Sequence, residues 1–371
     1  MKEVLCVMLI CLCFSCARGE GIDDSLEQVL DNVDVTALEA VAQTQGLRET
    51  VLRLARGEMV WDATEILEIL KTAVQEELQG SYGRMLKLIA PSLLCALAGM
   101  IRGKSAGAAA IAEMVCSLAL SAAIASDLKV YLSAAEDAVV RMDAVMQSLF
   151  PLLLTLLAAV GATSGAALLQ PAVAAAGGTM TTLVRQVSLP LALGMAVVTL
   201  INGLTDTMRL RRLSGVLRSG ATWTLGIAFT VFIGVTAMQG ITAGTADGVS
   251  IRAAKYAVDH FVPVVGGMFA DTMDTLVGCS LLIKNALGVT GLMLLFTAGG
   301  LPMLRTLCAA LMYRLCAALL QPVAQERTTG TLQAFSDVLT LLFVIQLSVG
   351  AMFLLLIAQV LAVGNATVTL R

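Results

Sequence analysis

From residue 85 to the end of the chain the sequence is an almost unbroken succession of apolar residues, and no water-soluble fold of this size can bury it. An ordinary domain carries about 25% charged residues. This chain carries 14%, with 58% hydrophobic residues and a mean hydropathy of +0.86. The composition predicts an integral membrane protein. Hydrocarbon offers the backbone no hydrogen-bonding partner, so the predicted fold is all-α, a polytopic membrane helical bundle.

Two segments precede this body. Met1 to Ala17 has a minimal basic start at Lys2, an apolar run from Val4 to Phe14, and small residues at Ser15 and Ala17, the pattern of a cleaved signal peptide over 1–17. A short uncleaved anchor and a lipoprotein signal ending at Cys16 are the competing readings; Cys13 and Phe14 make a poor lipobox, and the run is short for a span. Residues 18–84 form the second segment. The net charge of −3 conceals a segregation, because 14 of the 27 acidic residues fall between Glu20 and Glu77. Leu26, Val29, Leu30, Val33, Leu38 and Val41 recur at helical spacing, as do Ile66, Leu67, Ile69, Leu70, Val74 and Leu78. An exported, acidic, amphipathic-helical region is expected here, with Gly80 and Gly83 as a hinge into the membrane domain at 85–371.

The body reads as six to eight spans, some broken or re-entrant. Leu86–Ile101 and Ala106–Ser126 form a hairpin whose basic turn, Arg102 to Lys104, faces the cytoplasm. Asp127–Gln147 resembles an interfacial amphipathic helix, with Leu128, Tyr131, Leu132, Ala135, Val139, Met142 and Met146 on one face. Leu149–Leu169 and Val187–Leu204 are long enough to cross. Pro171–Val184 is a crossing or a broken helix. Arg209, Arg211, Arg212 and Arg218 then form the strongest positive-inside signal in the chain, a cytoplasmic basic loop. Ala221–Ala243 crosses outward to a polar loop, Gly244–His260. Phe261–Ile283, Ala286–Pro302, Leu304–Leu320 and Leu332–Val363 complete the body. Abundant Gly, Ala, Ser and Thr favour close helix packing. A weak echo, an amphipathic stretch leading to Phe150-Pro151 and another leading to Phe261-Val262-Pro263, raises the idea of duplicated halves.

Ionisable and polar residues inside the apolar body are the candidates for chemistry, since they are costly there and face a cavity, a partner or another helix. They are Glu113, Asp271, Asp274, Lys284, Asn285 and Asp337. Each also has a structural reading: Asp271 and Asp274 could line the wet face of an interfacial helix, and Lys284 could snorkel to a headgroup. Other chemistries lack their residues. The sequence contains no G-x-x-x-x-G-K-S/T P-loop and no HExxH. The one histidine, His260, makes neither a metal site nor a catalytic dyad. Four of the nine cysteines lie in the first 17 residues and the rest, Cys95, Cys116, Cys279, Cys308 and Cys316, in apolar stretches, as buried small hydrophobes. No enzyme activity, cofactor, metal or nucleic-acid partner is expected.

The stretch from Thr245 to Gly288 carries a resemblance. Asp247-Gly248-Val249-Ser250-Ile251-Arg252-Ala253-Ala254-Lys255-Tyr256-Ala257-Val258-Asp259, then Phe261-Val262-Pro263-Val264-Val265-Gly266-Gly267, then Cys279 to Gly288 closely resemble the stage III sporulation protein AE family. The resemblance implies a noncatalytic subunit of a secretion-like trans-envelope channel, set in the mother-cell membrane around the forespore and needed for late forespore development. It also implies partners: other products of the same operon and, across the intermembrane space, a forespore membrane protein. A scaffold that anchors the ring without conducting, and an independent secondary transporter, are the alternatives. The family implies no catalytic residues.

Overall fold

The computed structural model describes residues 26, 30, 38–39, 46–57, 63–100, 106–204, 211–261, 266–324 and 326–369; the expected signal segment lies outside them. The regular structure described is entirely helical: α1 (Leu47–Ala55), α2 (Ala63–Met100), α3 (Ala106–Ala159), α4 (Thr163–Leu183), α5 (Leu189–Leu204), α6 (Arg211–Phe261), α7 (Gly266–Leu295), α8 (Leu301–Leu320) and α9 (Glu326–Thr369). Single π-helical turns, Val184–Ser188 and Phe296–Gly300, fuse α4 to α5 and α7 to α8. The body is therefore six long rods, α2, α3, α4–α5, α6, α7–α8 and α9. The segments between them are three to six residues long, which makes consecutive rods antiparallel neighbours.

Each π turn is followed at once by Leu-Pro, at Leu189-Pro190 and Leu301-Pro302. Proline supplies no N–H and its ring crowds the carbonyl four residues back. Widening the turn relieves both problems: the Leu189 N–H bonds the Val184 carbonyl, five residues back. Of the expected echo residues, Pro151 sits inside α3 and Pro263 lies outside the described residues.

α9 is the centre. It packs against α3, α4, α5, α6, α7 and α8, and Phe335, Val338, Leu339, Leu342, Ile345, Val349, Ile357 and Val360 are fully buried. A helix apolar on every side is stable only when other helices surround it. The α3 and α7–α8 rods run antiparallel in register: Asp127 meets Tyr313, Met142 meets Gly299 and Leu149 meets Gly291. At Gly299 and Gly291 a β-carbon would fall 2.2 Å from the Met142 sulfur and 2.2 Å from a Leu149 methyl. Small residues thus set the helix separation.

Several expected boundaries move. Five segments are long and apolar enough to cross a membrane among the described residues: Met114–Ala159, Gly178–Leu204, Arg212–Met238, Thr275–Leu320 and Glu326–Asn365. Phe261–Ile283, Ala286–Pro302 and Leu304–Leu320 do not form separate spans, since the rod runs through Lys284 and through the π turn. The Leu149–Leu169 span is cut by the turn at 160–162, where Gly161 adopts φ 95°, a left-handed conformation that glycine takes without a steric penalty. Asp127–Gln147 is the middle of α3, not an interfacial helix. Its apolar face was read correctly, but Tyr131, Ala135, Val139, Met142 and Met146 pack into the bundle core. Gly244–His260 is helical, the last part of α6, and α2 passes through Gly80 and Gly83 without a break.

α1 packs on α7, with Leu47, Val51 and Leu54 in the same core as Leu26, Leu30 and Leu38. The Glu39 carboxylate accepts the Leu47 N–H at 2.9 Å, satisfying a donor at the start of α1. Phe335, edge-on to Tyr313 with centroids 4.8 Å apart, anchors α9 against α8. Phe335→Ala is expected to cost ~3–5 kcal/mol, and Leu319→Ala, on the exposed face of α8, within ~0.5 kcal/mol. Unfolding in detergent checks this; equal costs would mean that α9 is not the core.

Candidate functional site

A layer of charged side chains crosses the bundle, and every one of the six rods contributes to it. On one side, Arg84 of α2 donates to the Tyr131 hydroxyl of α3 and pairs with Glu77, and its guanidinium stands 5.6 Å from the centre of the Tyr131 ring. Arg305 of α8 approaches the other Glu77 oxygen at 3.9 Å. The buried Tyr313 hydroxyl donates to Asp127 Oδ2 at 2.5 Å. On another side, Arg185, in the first π turn, pairs with Glu136 at 3.2 Å. Asp337 of α9 completes the layer: its Oδ1 lies 3.7 Å from Arg218 of α6 and 3.8 Å from Arg314 of α8. Measured along α3 from Asp127 to Glu136, the layer is ~14 Å deep.

The layer is one-sided with respect to the apolar sequence. Beyond it, Val338–Val363 of α9 and Ser219–Ala246 of α6 contain no charged residue. These stretches are ~39 and ~42 Å long, enough to cross a hydrocarbon core of ~30 Å. On the layer's other side lie the helix ends that flank 205–210 and 321–325, and the paired tips of α2 and α3.

The second polar constellation lies on the side of the layer where α6 and α9 are free of charge. Lys284 of α7 is fully buried, so the expected snorkelling geometry is not found. Its Nζ donates to the Leu361 carbonyl at 3.1 Å and to Asn365 Oδ1 at 3.4 Å, both on α9. No carboxylate pairs with it among the described residues. Two features make the position possible. Gly364 leaves the room, since a β-carbon there would sit 2.0 Å from Nζ. The last turns of α9 also present the negative end of the helix dipole to the ammonium. The neighbouring Asn285 Oδ1, and Gln359 Oε1 on α9, are buried without a hydrogen-bond partner.

Of the sequence candidates, the structure brings Asp337 and Arg218 into one cluster and isolates Lys284 from both. Arg212 is exposed on α6, Arg211 opens that helix and Arg209 lies outside the described residues. Glu113 is placed on α3, Asp247, Gly248, Arg252 and Lys255 on α6, and Asp271 and Asp274 on α7, with side chains outside the described residues. Gly266 and Gly267 begin α7, and Pro263 is outside. The sequence reading missed Glu77, Arg84, Asp127, Tyr131, Glu136, Arg185, Arg305, Tyr313 and Arg314. Asp127 and Tyr131 fall one helical turn apart on α3, and Arg305 and Arg314 about two and a half turns apart on α8, but only the tertiary register shows that they share a level. No group of metal-ligating side chains occurs among the described residues.

A hydrogen bond to a charged acceptor contributes ~1.5–3 kcal/mol; with Asp127 partly open to solvent, Tyr313→Phe is expected to cost ~1 kcal/mol. In an Asp127→Asn background the same change should cost much less. A double-mutant cycle on detergent-solubilised protein checks this, and additive costs would remove the pair from the layer.

The comparisons with known proteins agree in one direction. The family model described as "Stage III sporulation protein AE" matches residues 46–364. The "Stage III sporulation protein AE" of Bacillus subtilis (strain 168) is 26% identical over 324 residues, covering 87% of this chain and 81% of that protein. No solved structure matches. With a helical membrane body and a family match over most of its length, the chain belongs to the stage III sporulation protein AE family, a family of sporulation proteins.

Proposed function

We propose that this protein is a noncatalytic membrane subunit of a secretion-like channel complex joining mother cell and forespore, required for late forespore development. In this reading the basic ends of the rods, carrying Arg102, Lys104, Arg209, Arg211 and Arg212, face the mother-cell cytoplasm. Residues 1–17 are removed as a signal peptide, and residues 18–84 begin on the exported side, where they meet ring subunits encoded in the same operon. A forespore membrane protein completes the passage from the other membrane. The observation that supports a conducting role is the charged layer. Ionisable groups drawn from every rod to one level give a solute or its gate a polar station across the bundle, beyond the helix register that the same groups would set in an anchor. The lone buried Lys284 adds a second polar point deeper in the body.

An in-frame deletion in the native sporulating strain should let engulfment finish and then leave the forespore small, with late forespore reporters silent. Lys284→Met, which replaces a buried charge by an apolar side chain of similar length, should insert normally and be no less stable. If the lysine serves passage, that variant, like the double Asp271→Asn/Asp274→Asn variant, should reduce late reporter synthesis at unchanged protein level. Normal sporulation by the deletion strain would overturn the proposal. Normal sporulation by the variants alone would leave the scaffold reading, with no solute crossing this subunit.

A further inference from the structure

Between α3 and α4 lies a half-buried carboxyl that the charged layer does not use. The two helices leave the turn at 160–162 side by side, so residues equally far from it share a level. Glu136 and Arg185 are one such couple and form the ion pair at 3.2 Å. Asp143 and Thr181 are the next, ~10 Å farther along α3 and one helical turn back along α4. Asp143 falls inside Met114–Ala159, a segment long and apolar enough to cross a membrane, where an ionisable residue is costly and marks a working site.

The Asp143 carboxyl is bonded on one side only. Its Oδ2 accepts from Gln147 Nε2 at 2.9 Å. Its Oδ1 is buried without a hydrogen-bond partner, and so is Oγ1 of Thr181, which stands beside it and is 8% exposed. A helical threonine can give its hydroxyl to the carbonyl four residues back, as the adjacent Thr182 does to Gly178 at 2.6 Å. Thr181 does not. Two oxygens with unused lone pairs therefore meet out of water, an arrangement that carries its full desolvation cost.

No neighbouring charge supplies the missing donor among the described residues. The charged residue of α4 is Arg185, whose ion pair goes to Glu136 and which acts on Asp143 through space. Asp137 and Arg141 of α3 and Glu68, Lys71 and Glu76 of α2 are exposed. α5, Ser219–Ala246 of α6 and Val338–Val363 of α9 hold no titratable residue. On the α7–α8 rod, Lys284 bonds α9 and Arg305 leans to Glu77. A hard metal ion takes about six or more oxygen ligands, and two converge here. One proton suffices: placed on Oδ1 it makes an O–H that donates to Thr181 Oγ1 and satisfies both atoms.

We infer that Asp143 is a proton-binding site, its proton held between Oδ1 and Thr181 Oγ1, and that this proton decides whether Arg185 stays with Glu136. A neutral Asp143 leaves the arginine to its ion pair. Once the proton passes to water, the carboxylate lies one helical turn from Arg185 and competes with Glu136 for it. Arg185 belongs to the π turn that fuses α4 to α5, a kind of turn that recurs at functional sites. The site stands whether or not any solute crosses the bundle.

The test treats the full chain in native membranes with dicyclohexylcarbodiimide, which adds a protonated carboxyl across its C=N bond, spares an ionised one, and ends as a stable N-acylurea. Trypsin then releases Met142–Arg185, in which Asp143 is the sole acidic side chain, so the mass of the adduct locates it. This peptide should carry the reagent at about pH 7, where exposed carboxyls are ionised, while Val130–Arg141, with Glu136 and Asp137, stays unmodified. Glu136→Gln frees Arg185 for Asp143 and should move the pH profile of labelling down by about one unit. An unmodified Met142–Arg185 peptide at every pH down to about 5, with labelling restored on denaturation, would overturn the inference. Protection by sodium ions at fixed pH would also overturn it, by making the occupant a metal ion. A profile unmoved by Glu136→Gln would break the link to Arg185. None of these results depends on the deletion phenotype, so the site and the sporulation role fail separately.

Discussion

The rest of the structure depends on one mismatch of length. Rods of 38 to 55 residues are two to three times longer than the ~30 Å hydrocarbon core requires, so no placement in a bilayer immerses the whole molecule. The charged layer is where the sequence accommodates this. Ionisable groups that would be costly among acyl chains gather at one level on all six rods, where each meets an opposite charge or a hydroxyl. Salt bridges as exposed as Arg218–Asp337 contribute little to stability individually. Their collective effect is to fix the register of six helices against one another and to define a boundary, beyond which Val338–Val363 of α9 and Ser219–Ala246 of α6 carry no charge while α3 still carries Asp137, Arg141 and Asp143.

Within the charge-free part, cohesion comes from close approach, because a lipid-facing bundle gains little from the hydrophobic effect between its helices. Gly288, Gly291, Gly299 and Gly364 each leave no room for a β-carbon against a neighbouring side chain. Gly364 is the one with a chemical consequence, because it admits the Lys284 ammonium to the end of α9. A lysine with two neutral acceptors and, among the described residues, no counter-ion sits there at a cost in stability that a methionine would avoid.

Much of the fold is written in composition and periodicity. The membrane class, the helical bundle, the basic ends of the rods and the apolar face of 127–147 all follow from residue type and spacing. Boundaries were harder to read for physical reasons. Lys284-Asn285 looks like a span edge because charge normally marks one; here the notch at Gly364 and the end of α9 bury it within a continuous rod. Gly161 breaks an apolar run that hydropathy treats as uniform. Pro302 marks an expected segment edge that a π turn absorbs instead, and the same device precedes Pro190, inside the segment read as the span Val187–Leu204. The charged layer was illegible for a different reason: Glu77, Asp127, Arg305 and Asp337 are far apart in sequence, and only the antiparallel register of α3 with α7–α8 and the central position of α9 bring them to one height.

The central claim is that the layer marks the edge of the hydrocarbon, with the six-rod part inside it. Trp223 reports on this most directly. It is 71% exposed on α6, one of two tryptophans in the chain, and five residues past Arg218, ~7.5 Å along the helix. With Trp61→Phe, fluorescence of the reconstituted protein should be quenched more strongly by phospholipids brominated near the headgroup end of the acyl chain than by those brominated at its far end, as for a tryptophan in an interfacial belt. Strongest quenching from the far end would put the layer deep in the bilayer, and no quenching from either would put the six-rod part outside it; both results contradict the account.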